Sequence, residues 1–344
     1  MLLIHSERFA DHLTPPGHPE RVERSEVYGS LARRWRAGGG AVESPRPASI
    51  EALLRVHSAE HVALLEDAAG RAVMLDSDTF TSPDSFDVAR LAAGAAVGGV
   101  EYALEHRRPA VALVRPPSHH AERGRAMGFC LLNNVAIAAA EALARGLDRV
   151  AVVDFDVHHG NGTEAIFHEE PRVLYVSTHQ FPFYPGTGAA SDTGRGRGAG
   201  FTLNIPLEAG ATDADFRAVF DEAVEPVLRA YEPELVLVSA GYDADARDPL
   251  GGMRVTPAGF AAMSRSLWRV AVDCAGGRLV AVTEGGYDLT ALAEGVTATL
   301  DALAADPAAP LARAEAAPPA SDRQRADRAL AAVRQASKPF WPAL

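Results

Sequence analysis

Asp154, Asp156, His158 and Asn161 stand close together in one stretch, DFDVHHGNG, where an apolar run gives out. Side chains alternate along an extended strand, so Asp154 and Asp156 share one side and His158 continues it. Ionised carboxylates at a buried strand end are costly unless paired or metal-bound, and two together also repel. A divalent cation resolves both problems. Asp156 and His158 then read as ligands, which leaves Asp154 for a neighbour. A second stretch, GYDADARDP, places Asp243 just past another apolar run. Asp248, before Pro249, reads as a turn or cap. Asp156, His158 and Asp243 make three protein ligands with an open position, the pattern of catalytic zinc. Two carboxylates and one imidazole form a harder set than usual, so iron(II), cobalt and manganese stay open. Acidic strand ends also serve as caps and ion pairs, and the adjacent His residues tip the reading toward metal.

Two further clusters carry proton chemistry. RPPSHHA holds His119 and His120 after a Pro-Pro turn. Beside a metal, one imidazole would move a proton and the other would orient it or supply charge. Each needs a partner to fix its tautomer, and Asp154 and Asn161 are placed to serve. EGGYD delivers Tyr287 after two glycines. Glycines allow close approach to a ligand, and a phenol there could donate to a developing oxyanion.

The elements that would position these residues alternate. Nearly continuous apolar runs at 2–5, 111–115, 150–155, 173–178, 235–240 and 279–283 read as strands covered on both faces. Helical patterns fill 19–35, 59–69, 85–105, 132–145, 213–231, 257–275 and 289–304. This alternation predicts an α/β fold: an open, mainly parallel sheet with helices on both faces. All four polar clusters follow predicted strands, and ligands in such sheets bind beyond the strands' carboxyl ends. Their convergence on one cleft predicts an enzyme. The chain reads as one catalytic domain over 1–344, with a Pro/Ala-rich connector at 306–322 before a short C-terminal helix.

Composition narrows the class. The 344 residues are 47% hydrophobic and carry a formal net charge of -12. An acidic surface disfavours direct nucleic-acid binding and weakly favours cationic partners. No apolar run reaches the roughly 20 residues of a membrane helix. MLLIHSERFADH reads as a first strand, not a signal peptide. Cys130 and Cys274 give no disulfide framework, which suits the cytoplasm. Oligomeric state is left open, a homo-oligomer included.

GHPERVER, DTFTSPDSFDVARLAAGAA, RPPSHHA, GFCLLNN, DFDVHHGNGT, YPGTG, SAGYDADARDPLGGM and EGGYDL occur in this order over most of the chain. Together they resemble the metal-dependent deacetylases: histone deacetylases, acetylpolyamine amidohydrolases and acetoin-utilisation-type proteins. EGGY and Asn161 point to the class II and bacterial flavour. The resemblance implies the arginase/deacetylase-type sheet and hydrolysis of N-acetylated amines, acetyl-lysine first and N-acetylpolyamine second. By position, Asp156, His158 and Asp243 match the zinc ligands. His120 matches the general base and acid, with Asn161 as its partner. His119 and Asp154 match the second pair, and Tyr287 matches the residue that polarises the carbonyl. Phe129, with Gly128 before it, and Tyr184 match the walls of the acyl-lysine tunnel, and Asp78 matches a rim Asp. Leu250 stands where eukaryotic polyamine-specific relatives carry a gatekeeper Glu. Main-chain oxygens around Asp154, Asp156 and His158, with Ser177 and Thr178, match a structural potassium site. Ser118 departs from the usual Gly of PPGHH. An arginase-type ureohydrolase would need two metals at other spacings. A non-catalytic acyl-amine binding module would not need His119, His120 and Tyr287 together.

Overall fold

Short runs rich in Val, Leu and Ala build the sheet of the computed structural model, which describes residues 1–308 and 323–344. In chain order the strands are β1 (Leu2–Ile4), β2 (Ala41–Glu43), β3 (Val73–Met74), β4 (Phe80–Thr81), β5 (Ala110–Ala112), β6 (Val150–Asp154), β7 (Val173–Gln180), β8 (Thr202–Leu207), β9 (Leu235–Ala240) and β10 (Leu279–Thr283). β3 and β4 form a separate antiparallel pair. The other eight lie in the order β2-β1-β5-β10-β9-β6-β7-β8, with every neighbouring pair parallel. Strand alternation feeds two cores. Leu279 and Ala281 of β10 join the core of helices Pro257–Ala275 and Leu289–Ala304. Val280 and Val282 join the core of helices Ser85–His106 and Asn134–Ala144 on the other face. The expected parallel α/β sheet is therefore the fold.

The departures have local causes. β2 and β8 lie outside the expected strands, and both are edges. β8 carries Pro206, which has no N–H for a ladder and is tolerated at an edge. The helix expected over 213–231 is interrupted by a wider π turn at Phe220–Val224. Pro226 is the second residue after it; it has no N–H to donate and its ring crowds the preceding turn. The connector expected at 306–322 lies, from residue 309 onward, outside the described residues. The helix after it is Gln324–Ser337, whose Leu330 and Val333 enter the core. Among the described residues, no helix is long and apolar enough to cross a membrane.

The helix expected from residue 19 begins only at Glu23. The segment before it sends Glu20 inward, fully buried with Arg24 and Arg115. Arg115 grips both Glu20 oxygens at 2.8 Å, and Arg24 donates to Oε1 at 2.9 Å. Burial opposes the charge on Glu20, but the guanidinium of Arg115, with that of Arg24, outweighs it and pulls the carboxyl down to about 2. A depressed folded value adds stability above the ordinary carboxylate range, lost as pH falls toward 2. Glu20→Gln leaves two buried guanidiniums short of a counter-charge. It should cost about 3–5 kcal/mol in denaturant melts at neutral pH and flatten the acid limb of the stability profile.

Candidate active site

β5, β10, β9 and β6 are consecutive in the sheet, and each ends in one of the four polar clusters. Neighbouring strands lie about 4.8 Å apart, so the clusters must meet. Asp156 and His158 follow β6, and Asp243 follows β9. One ligand atom from each lies within 4.8 Å of the others. It is the one such group of three among the described residues. Asp156 Oδ2 accepts from Gly285 N at 2.9 Å, and Asp243 Oδ1 accepts from Val157 N at 2.9 Å. Asp243 Oδ2 is buried with no hydrogen-bond donor, although His158 Nδ1 lies 3.3 Å away. Burial and the charge of Asp156 both push the Asp243 carboxyl upward. An orphaned, buried carboxylate oxygen beside a second carboxylate and an imidazole fits a divalent cation. Gly285 makes the approach feasible: a Cβ there would sit 2.0 Å from Asp243 Oδ2 and 2.7 Å from Asp156 Oδ2.

Asp154 is occupied elsewhere, as expected. Its Oδ2 accepts from His119 Nδ1 at 3.0 Å and from the Tyr175 hydroxyl at 3.2 Å. Burial works against charge on His119, but Asp156 and Asp154 hold its pKa well above the ordinary value. His120 differs. Asn161 Nδ2 donates to Glu122 Oε1 at 2.9 Å, which turns Oδ1 toward His120 Nδ1 at 2.8 Å. The Nδ1–H is thereby fixed, and Nε2 keeps its lone pair. Burial, with His119 and His158 nearby, holds the His120 pKa well below the ordinary value. The two adjacent imidazoles, 4.1 Å apart between ring centres, are thus pushed in opposite directions by their surroundings.

The loop carrying Tyr287 is clamped by residues whose roles were not read from the sequence. Arg24 Nε donates to the Gly286 carbonyl at 2.8 Å, and its NH2 donates to the Glu284 carbonyl at 2.5 Å. The guanidinium also lies 5.0 Å from the Tyr287 ring centre. Asp248, expected as a turn residue, does make one by accepting from Leu250 N at 2.9 Å. Its other oxygen accepts from Tyr287 N at 2.6 Å and Asp288 N at 3.1 Å. Glu284 is fully buried behind His119, and burial pushes its carboxyl up to about 7. Arg24 and Glu284 both lay inside quoted motifs, GHPERVER and EGGYDL, but nothing in their spacing marked a role.

A cavity of about 500 Å³ opens onto His120, His158 and Tyr287. All five expected substrate contacts line it: Asp78, Gly128, Phe129, Tyr184 and Leu250. Phe183 was not expected there; its ring stacks on His158 with centres 5.4 Å apart. Tyr184 meets His120 edge-on at 5.2 Å, and Phe129 meets Tyr287 edge-on at 5.7 Å. Phe129 takes φ of 69°, costly for a non-glycine residue. Its N–H is held by Thr79 Oγ1 at 3.1 Å, and Thr79 donates to Asp78 Oδ1 at 3.0 Å. Gly128 also gives His120 room, because a Cβ there would fall 2.5 Å from the ring. Of the group expected around potassium, Ser177 pairs with Asp154 across β7 and β6. Thr178 Oγ1 lies 3.4 Å from the Asp154 carbonyl oxygen, while Ser177 Oγ pairs with His179 at 2.9 Å.

Residues 18–303 match the histone deacetylase domain. A protein of Archaeoglobus fulgidus named "Probable deacetylase" is 40% identical over 291 residues, covering 83% of this chain and 81% of that one. The polyamine deacetylase HDAC10 of Homo sapiens is 40% identical over 363 residues, covering 100% of this chain but only 53% of its own length. The crystal structure of the HDA15 HD domain superposes with a TM-score of 0.88 at 35% identity, covering 99% of this chain and 96% of that one.

Proposed function

The chain belongs to the histone deacetylase family, a family of metal-dependent hydrolytic deacetylases, and from that premise we propose that it cleaves the acetyl amide of acetyl-lysine as one catalytic domain over 1–344. The observation that carries the proposal is one cavity onto which His120, His158 and Tyr287 open, with the orphaned Asp243 oxygen 3.3 Å from His158 Nδ1. Asp156, His158 and Asp243 would hold one divalent ion, zinc by preference. When bound, zinc supplies Lewis-acid polarisation of a carbonyl and acidifies water toward a pKa of about 7.

The protein's own residues do the rest. His120 Nε2 accepts a proton from the attacking water and later returns it to the leaving amine. Asn161 keeps that nitrogen aimed by holding Nδ1. His119, paired with Asp154, contributes positive charge beside the reacting centre. Tyr287 donates its hydroxyl to the carbonyl oxygen as negative charge grows there. Phe129, Tyr184 and Phe183 enclose the methylenes of the substrate and exclude water. Asp78 in the cavity lining accepts an N–H of the substrate backbone. A structural potassium ion at the Asp154 carbonyl with Ser177 and Thr178 belongs to the same reading.

Leu250 in the cavity wall favours acetyl-lysine, because it offers no charge to a distant ammonium. The net charge of -12 and the carboxylate of Asp78 in the cavity lining favour N-acetylpolyamine as the second reading. The free cysteines Cys130 and Cys274 suit a reducing, cytoplasmic setting. One zinc-loaded preparation assayed on acetyl-lysine peptides, N-acetylpolyamines and longer acyl-lysines decides. The acetyl-lysine reading requires the highest kcat/KM on the peptides; a polyamine optimum would reverse the order.

Tyr287→Phe keeps the ring against Phe129 and Arg24 and removes only the hydroxyl. We expect kcat to fall about 10²–10³-fold, as for other lost oxyanion donors, with metal content unchanged. Steady-state kinetics checks this; unaltered kcat would reduce Tyr287 to a wall residue.

A further inference from the structure

Glu284 collects donors from two neighbouring strand ends. Its Oε2 accepts the backbone N–H of Ser118 at 2.5 Å and of His119 at 3.2 Å. Its Oε1 accepts the hydroxyls of Ser118 at 2.6 Å and of Ser239 at 3.1 Å. Glu284, Ser118 and Ser239 are all fully buried, and four hydrogen bonds hold the two carboxyl oxygens. One side of Glu284 therefore grips the turn that carries His119 and His120. Its other side is the chain itself: Gly285 N reaches Asp156, and Tyr287 lies three residues on. A glycine at position 118 would keep the N–H contact but lose the hydroxyl.

We infer that Ser118 is a positioning residue: its hydroxyl anchors the Glu284 carboxylate, which sets the proton-transfer turn against the loop that carries Tyr287. The hydroxyl matters because a buried carboxylate is held only by the donors around it. Each oxygen of Glu284 has two. Without the Ser118 hydroxyl, Oε1 keeps Ser239 alone, and the carboxylate can swing off the backbone of Ser118 and His119. A shift there moves His119 relative to Asp154 and His120 relative to the reacting carbonyl. The substrate cavity does not contain Ser118 or Glu284, so the effect falls on turnover and not on substrate binding.

This inference rests on the deacetylase reading, and the test separates the two. Ser118→Ala, Glu284→Gln and the double variant are assayed on an acetyl-lysine peptide, with zinc content and melting temperature measured in parallel. Ser118→Ala should lower kcat about tenfold with KM and zinc content unchanged, the weight of one hydrogen bond to a charged group. Glu284→Gln can keep an oxygen on the two backbone N–H groups only by turning its NH2 toward the Ser118 and Ser239 hydroxyls, so neither hydroxyl any longer donates to a carboxylate, and kcat should fall about 100-fold. Because the hydroxyl acts through the carboxylate, the double variant should match Glu284→Gln. Wild-type kcat in Ser118→Ala, single effects that multiply, or losses that track zinc content would each overturn the inference. If Glu284→Gln does not fold, Ser118→Ala with Ser239→Ala carries the same test. Each single change leaves Oε1 one hydroxyl, so the pair should lose more than the product of the singles; a simple product overturns the inference. An inactive wild-type protein would overturn the deacetylase reading along with it.

Discussion

Asp243→Asn is expected to give a folded protein that purifies with little metal and has no measurable turnover. The amide keeps the shape of the carboxylate and an acceptor for Val157 N, so the chain path after β9 survives. What changes is the oxygen that no protein donor satisfies. An amide nitrogen in its place cannot ligate, and only Asp156 and His158 remain. The substitution also removes the repulsion between two buried carboxylates. Metal-free Asp243→Asn should therefore melt no lower than metal-free wild type, while added zinc stabilises only wild type. Metal analysis and thermal melts with and without zinc check both halves. Full zinc occupancy in the variant would remove Asp243 from the ligand set.

His120→Ala is expected to keep its metal and bind substrate while kcat falls about 10²–10⁴-fold, the usual weight of a positioned base. The geometry separates its role from that of its neighbour. Asn161 leaves His120 a free lone pair over the cavity, whereas His119 is engaged by Asp154 and lies 3.7 Å from Asp156. His119→Ala should lower turnover less, by removing nearby positive charge and not the proton carrier. Pre-steady-state measurement of the hydrolytic step in the two variants distinguishes them. A larger loss in His119→Ala would exchange the two roles.

What could be read from the sequence follows from how local each signal is. The runs at β9 and β10 and the helices Pro257–Ala275 and Leu289–Ala304 were bounded correctly, because apolar periodicity and turn residues agree there. β8 escaped because Pro206 and a polar Asn204 break its apolar run, which only an edge strand tolerates. That Asp156, His158 and Asp243 would come together was readable because carboxylates at strand ends demand a partner wherever the sheet is buried. Asp154 could be set apart from them for the same reason. The clamp residues could not be read. Arg24 reaches Gly286 across 262 positions, and Ser118 reaches Glu284 across 166. No periodicity or spacing in the chain encodes such a pairing. Asp248 was half-readable: its turn with Leu250 is local, but its hold on Tyr287 depends on β9 and β10 being neighbours.

The most direct test of the whole account is acetate release from an acetyl-lysine peptide by protein stripped with a chelator and then titrated with zinc. Activity should be absent after stripping, return with zinc and reach its plateau at one ion per chain. Turnover that survives complete metal removal, or a plateau that needs two ions per chain, would contradict a single metal held by Asp156, His158 and Asp243.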